Sequence, residues 1–108
     1  MAPEEPADLE IRQNSAENRY EAWLGGRLAG SAFYRLDRDR TVFTHTEVEP
    51  EFEGRGVGGA LARGALESTR DAGRRVVPLC PFIGSYIARH QEFLDLVVPE
   101  SRHRVRPG

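Results

Sequence analysis

Glu53-Gly54-Arg55-Gly56-Val57-Gly58-Gly59-Ala60 separates two stretches of different periodicity. Before it, Thr41 to Val48 alternates like a strand; after it, a run of helical period continues until Gly73. Four of the six residues from 54 to 59 are glycine: Gly54, Gly56, Gly58 and Gly59. Glycine adopts positive φ without strain and lets another group approach the main chain closely. Where a strand turns into a helix, such a loop aims unpaired backbone N–H groups at one point, together with the positive end of the helix dipole. That combination makes an anion site, suited to a phosphate or pyrophosphate. The competing reading of the loop is a plain glycine-rich turn.

Upstream of the loop the chain reads as an antiparallel meander. Leu9 and Ile11 alternate with Glu10 and Arg12, a short strand, and Gln13 to Asn18 is a polar turn. Arg19 to Leu24 is a strand with Tyr20, Ala22 and Leu24 on one face. Gly25-Gly26 is a two-residue hairpin signal, and Arg27 to Leu36 is the return strand. After the charged turn Asp37 to Arg40, strict alternation puts Val42, Thr44, Thr46 and Val48 on one face of the next strand. Phe43, His45 and Glu47 fall on the other.

Downstream, Val57 to Ala72 is an amphipathic helix. Val57, Leu61, Ala65 and Ser68 lie along one stripe, Arg63, Glu67, Arg70 and Asp71 face water, and Gly73 marks the stop. A short strand around Val76-Val77 is expected to run parallel to the strand before the helix, an arrangement that a strand–helix–strand crossover of this length fits. Pro78 closes its ladder, and Pro81 opens a second helix through Ile83, Tyr86 and Ile87 to about His90. Phe93, Leu94, Leu96 and Val97 supply a final apolar anchor. The expectation is one α/β (α+β) domain over 1–108, with a core from about 8 to 98. Residues 1–7 and 99–108 are expected to be flexible.

Composition narrows the function classes. With 108 residues, 39% hydrophobic and 30% charged, the chain suits one globular core. A net charge of −2 gives no general attraction to nucleic acid or anionic membrane, and no apolar run reaches the length of a membrane span. The start shows neither a basic nor an apolar signal region, and one cysteine fits a reducing compartment, so the cytoplasm is the expected location. All 15 basic side chains are arginine, which excludes a Walker-type loop with its lysine. A dinucleotide fingerprint is excluded too. It opens a βαβ unit and wants an acid about 20 residues on, where this chain has Val76 to Phe82.

Individual residues suggest chemistry. Cys80 stands where a strand ends and Pro81 opens a helix, a position where unpaired amides favour a thiolate. It is a candidate nucleophile, or a buried cysteine that only packs. His45, in the strand before the loop, is a candidate base toward Cys80 or an incoming amine, or a structural histidine. Glu47, Glu49, Glu51 and Glu53 form an alternating acidic run, either a solvated edge or an attraction for a cationic acceptor. His45, Cys80, His90 and His103 lack the spacing of a metal site, and none is expected.

Gly56-Val57-Gly58, between a strand and a helix, resembles the coenzyme loop of the Gcn5-related N-acetyltransferases. Glu53 stands where that family has Gln or Arg, and its carboxylate repels a pyrophosphate; Arg55 supplies positive charge instead. The chain is most similar to a minimal, YjdJ-like acetyltransferase subfamily. The matching residues are Tyr20-Glu21, His45-Thr46-Glu47-Val48, Glu53-Gly54-x-Gly56-x-Gly58, Pro78-x-Cys80-Pro81-Phe82 and Arg89-His90-x-Glu92-Phe93. The resemblance implies an acetyl-CoA-dependent N-acetyltransferase with no metal. Its coenzyme would be held by Gly54, Arg55, Gly56, Val57, Gly58 and Gly59, and by the main chain at Glu47 and Val48. Transfer would go to an amine or protein acceptor, directly or through Cys80, with Tyr86 as a proton donor to the departing thiolate. It also implies a sheet without the two helices that larger members place between the first two strands, and so an open acceptor side. The alternatives are a non-catalytic acyl-CoA-binding or protein-interaction module, and a structural domain whose loop binds nothing. The residues name no particular amine, acyl chain or oligomeric state.

Overall fold

The computed structural model describes residues 8–108; the expectation of a frayed 1–7 lies outside the described residues. Four strands come first: β1 (Leu9–Asn14), β2 (Arg19–Leu24), β3 (Arg27–Asp37) and β4 (Arg40–Val48). Helix α1 (Val57–Asp71), strand β5 (Arg75–Pro78) and helix α2 (Pro81–Arg89) follow. The strands form one sheet in sequence order, antiparallel from β1 to β4 and parallel between β4 and β5. This is the mixed α+β arrangement that the periodicities predict. Gly25 and Gly26 close the β2–β3 hairpin with φ of 57° and 80°, the left-handed pair that a two-residue turn requires. Between β1 and β2 stands only a one-turn 3-10 segment, Ser15–Glu17, and no α-helix.

Helix α1 lies across the sheet and buries its apolar stripe there. Tyr20, Ala22, Ala32, Tyr34 and Phe43 meet Leu61, Ala65 and Leu66 in one core. Fully burying a Phe or Leu side chain contributes about 1.5–3 kcal/mol, and Phe43 and Leu61 are both fully buried.

One feature of β4 departs from strict alternation. Phe33 faces His45 across the β3–β4 ladder while Tyr34 faces Phe43, so Thr44 is an extra residue, a bulge. Its hydroxyl donates to the Phe33 carbonyl at 3.3 Å. The bulge reverses the phase of the strand. Phe43 therefore shares the α1 side with Thr46 and Val48, not with His45 and Glu47, which turn to the opposite face.

The C-terminal segment also differs from expectation. Pro99–Arg104 is a 3-10 helix rather than a loose tail, with Ser101 buried. It packs on α2 at Gly84, where a Cβ would collide with the Arg104 carbonyl oxygen, and the Gly108 N–H donates to Ser85 Oγ at 3.1 Å. Gly84→Ala separates the two forces at this point. In an unobstructed helix the change stabilises by about 1 kcal/mol. Against the Arg104 carbonyl it should instead cost about 1–3 kcal/mol and release the segment. Limited trypsin digestion read by mass spectrometry should then show faster cleavage at Arg102 and Arg104; an unchanged rate with a raised melting temperature would contradict the contact.

Candidate active site

After the 3-10 turn Pro50–Phe52, Gly54 and Gly56 take φ of 76° and 79°. A Cβ at either position would meet nothing within 4 Å, so their identity serves the turn rather than space. Gly56 caps α1, and no side chain bonds to this helix end. Ala60 is the first residue whose N–H finds a helical acceptor, the Gly56 carbonyl at 3.1 Å. The N–H groups of Gly56, Val57, Gly58 and Gly59 have none within the helix. They border a cleft of about 510 Å³ that is also lined by Val48, Phe52, Glu53, Gly54 and Phe82.

Gly58 has a different reason. A Cβ there would lie 2.9 Å from Phe82 Cζ, so glycine makes room for a ring that stands over the cleft. Two glycines serve the turn and one makes room for a neighbour, distinctions that the sequence, open to an anion site or a plain glycine-rich turn, does not draw. A Cβ at Gly59 would sit 4.0 Å from Tyr86, an ordinary contact. Charge at the cleft is mixed. Glu53 is an exposed wall residue. Two guanidinium groups lie close to the Phe52 ring, Arg55 at 5.6 Å and Arg27 at 5.4 Å, and Arg27 also pairs with Glu51 at 2.8 Å. Arg27 and Phe52 went unnoticed in the sequence: neither belongs to a motif, and only the fold brings Arg27 to the loop.

Beside the cleft, β4 and β5 part. Their ladder ends at Phe43 and Pro78, followed by one bond from the Cys80 N–H to the Phe43 carbonyl at 2.8 Å. Pro78 brings no N–H, and Pro81 begins α2, so β5 stops while β4 runs on to Val48. Among the described residues, no strand lies beside the β5-side edge of β4 from Thr44 to Val48. Cys80 sits at this fork as the N-cap of α2, 3% exposed, its Sγ 3.3 Å from Thr46 Oγ1. Thr46, a strand and motif position to which the sequence reading gave no role of its own, is thus the partner of the thiol.

His45 is not brought to Cys80. It lies on the face of β4 opposite Thr46, with Nε2 2.9 Å from Glu47 Oε2. In a neutral imidazole, donation from Nε2 to an ionised carboxylate leaves the lone pair on Nδ1. The ring stacks on Phe33, with centroids 6.0 Å apart and planes 20° apart. Both members of the pair are more than half exposed, on the face of the sheet opposite α1. The acidic run is therefore divided: Glu47 serves His45, Glu51 serves Arg27, and Glu53 stands at the cleft.

The Tyr86 side chain is buried. Its ring stacks on His90 with centroids 4.0 Å apart and neighbours Phe93, with the Arg63 guanidinium 6.0 Å from its centre. Burial pushes its phenol above the ordinary range, against the opposing pull of Arg63, so it stays protonated at neutral pH. Among the described residues no group of three or more His, Cys, Asp or Glu is placed to hold a metal ion. No helix among them is long and apolar enough to cross a membrane.

Comparison with known proteins gives this geometry a family. A family model described as GCN5-related N-acetyl-transferase matches residues 19–96, more than two thirds of the chain. Two solved structures share the fold. A GCN5-like protein of Staphylococcus aureus, determined by NMR in solution, superposes with a TM-score of 0.65 at 24% identity over 86% of this chain and 91% of that one. The ribosomal-protein-S18-alanine N-acetyltransferase of Escherichia coli gives 0.53 at 18% identity over 59% of this chain and 42% of that one. No curated protein matches. The matched span runs from β2 through the glycine loop, crossover helix and forked strands to the segment after α2, and the chain belongs to the GCN5-related N-acetyltransferase family.

Proposed function

We propose that this protein transfers an acetyl group from acetyl-CoA to an amine. The observation that carries the proposal is the junction of three features at one end of β4: free N–H groups at the start of α1, an unpaired strand edge from Thr44 to Val48, and the His45–Glu47 pair. The cleft fits the donor's diphosphate, because Gly54 and Gly56 direct the main chain at it and Arg55 offsets Glu53. The edge at Glu47 and Val48 offers main-chain groups to an extended amide-bearing arm. His45 Nδ1, held ready by Glu47, takes a proton from the amine as its nitrogen bonds to the thioester carbonyl carbon. The carbon–sulfur bond breaks, and the coenzyme leaves as a thiolate that picks up a proton from solvent.

The second route uses Cys80 as an acetyl carrier. Its place at the fork favours this; its burial, with Thr46 rather than a base beside it, does not. Tyr20-Glu21, His45 to Val48, the glycine loop and Pro78-x-Cys80-Pro81-Phe82 support a minimal, YjdJ-like member, and a single thiol suits the reducing cytoplasm. The open face of the sheet suits a protein-borne amine as well as a small one.

Calorimetric titration with acetyl-CoA, with ATP and NAD as controls, tests the proposal first. Selective binding with a Kd on the order of micromolar to millimolar is expected. A folded protein that ignores acetyl-CoA would end the proposal. Binding without transfer to any amine or protein would leave an acyl-CoA-binding module.

A further inference from the structure

The open face of the sheet carries an ordered set of side chains joined to His45 by register. Arg19, Phe33 and His45 are successive cross-strand partners, and so are Glu21, Ser31 and Glu47. Two pairs close the ladder at its ends. Arg19 Nε donates to Glu21 Oε2 at 2.7 Å, and His45 pairs with Glu47 at 2.9 Å. Between them the Arg19 guanidinium lies 5.8 Å from the Phe33 ring centre, and Phe33 stacks on His45.

Glu21 is the least exposed ionisable member of this set, with its side chain 8% exposed. Three donors satisfy it: Asn14 Nδ2 at 2.9 Å, Arg19, and Trp23 Nε1 at 3.0 Å. The Asn14 bond foremost, with those of Arg19 and Trp23, holds its carboxyl below the ordinary carboxylate range against the opposing effect of burial. A buried ion pair is weak support for stability, since apolar side chains of similar size do as well. A fixed charge does something they do not: it holds Arg19 in one orientation against Phe33. His45 needs such support. It is exposed, and exposed side chains change rotamer freely, whereas a general base must keep its lone pair in one direction.

We propose that Glu21 is a positioning residue for acetyl transfer: it fixes Arg19 on Phe33, and Phe33 fixes the His45 imidazole with Nδ1 free. The proposal rests on His45 as the base. Arg19 and Phe33 act in the same line, and Glu47 sets the other end of the ring.

The test combines kinetics with NMR of the histidine rings. The chain has three histidines, and His45→Ala identifies the signals of His45. In the wild type, the His45 ring protons should show a ring-current shift from Phe33 and a dominant Nε2–H tautomer. In Glu21→Gln, Arg19→Gln and Phe33→Leu, both features should fade. Their kcat should fall roughly 10- to 100-fold while the KM for acetyl-CoA stays unchanged. Phe33→Tyr keeps the ring and should keep both signals and rate. If Glu21→Gln does not fold, Arg19→Gln decides, because Glu21 then retains Asn14 and Trp23. Folded Glu21→Gln and Arg19→Gln proteins with a wild-type His45 spectrum and rate would overturn the role of Glu21 alone. A wild-type protein that binds acetyl-CoA yet transfers to no amine would instead overturn the catalytic reading of His45, and the positioning role with it.

Discussion

Gly56→Val should abolish useful acetyl-CoA binding while leaving the protein folded. Gly56 has φ of 79° with nothing near its absent Cβ, so the obstacle to valine is backbone strain rather than collision. A side-chain-bearing residue costs about 1–2 kcal/mol in that conformation, and β-branching makes it worse. A single-core domain can absorb that loss, but the loop relaxes by rotating its peptide planes, and these carry the N–H groups that start α1. Each hydrogen bond to a charged group is worth about 1.5–3 kcal/mol. Two misdirected donors therefore weaken binding by roughly 10²- to 10⁴-fold. Gly59→Ala is the control. Its Cβ meets only ordinary contact with Tyr86, and alanine favours the helix, so binding should survive. Calorimetry on both variants, with circular dichroism to confirm folding, separates a loop shaped by φ from one merely rich in glycine. Equal affinities in Gly56→Val and wild type would remove the diphosphate site.

That contrast also marks how far the sequence could be read. The strand–loop–helix, the Gly25-Gly26 hairpin and the parallel crossover are local patterns, and each appears where periodicity and glycine placement put it. The bulge at Thr44 is not local. Val42, Thr44, Thr46 and Val48 alternate without a flaw in the sequence, and only the partner strand shows that one residue is unmatched. The consequence is chemical: the bulge turns Thr46 to Cys80 and sends His45 to the open face, so the pairing of His45 with Cys80 that the sequence allowed does not form. The cleft behaves alike. Its floor is a motif, but Phe82 and the paired guanidiniums of Arg27 and Arg55 arrive through packing. The packed C-terminal segment depends on Gly84 inside a helix, where a glycine reads as a weakness until the chain that crosses it is seen.

The bulge makes the route of transfer decidable. His45→Ala should lower kcat by roughly 10²- to 10⁴-fold, the range for removal of a general base. The KM for acetyl-CoA should hardly change, because His45 lies away from the N–H groups of the glycine loop, on the open face. Glu47→Gln should lower kcat less. An amide can still meet Nε2 but no longer requires a proton there, so the tautomer with Nδ1 free loses its advantage. Cys80→Ala carries the opposite expectation. It removes a buried thiol and leaves the Thr46 hydroxyl without its partner, a cost in stability of about 1–3 kcal/mol, yet direct transfer should continue. The composition sharpens the comparison. With no lysine in the chain, a stable acetyl group found on the intact protein is confined to the N-terminus, Cys80 or a hydroxyl. Rapid-quench mass spectrometry of the wild type during turnover should show no transient acetylated protein. A transient acetyl adduct that disappears in Cys80→Ala together with turnover, while His45→Ala still forms it, would replace direct transfer by the covalent route and make His45 the base of the second step.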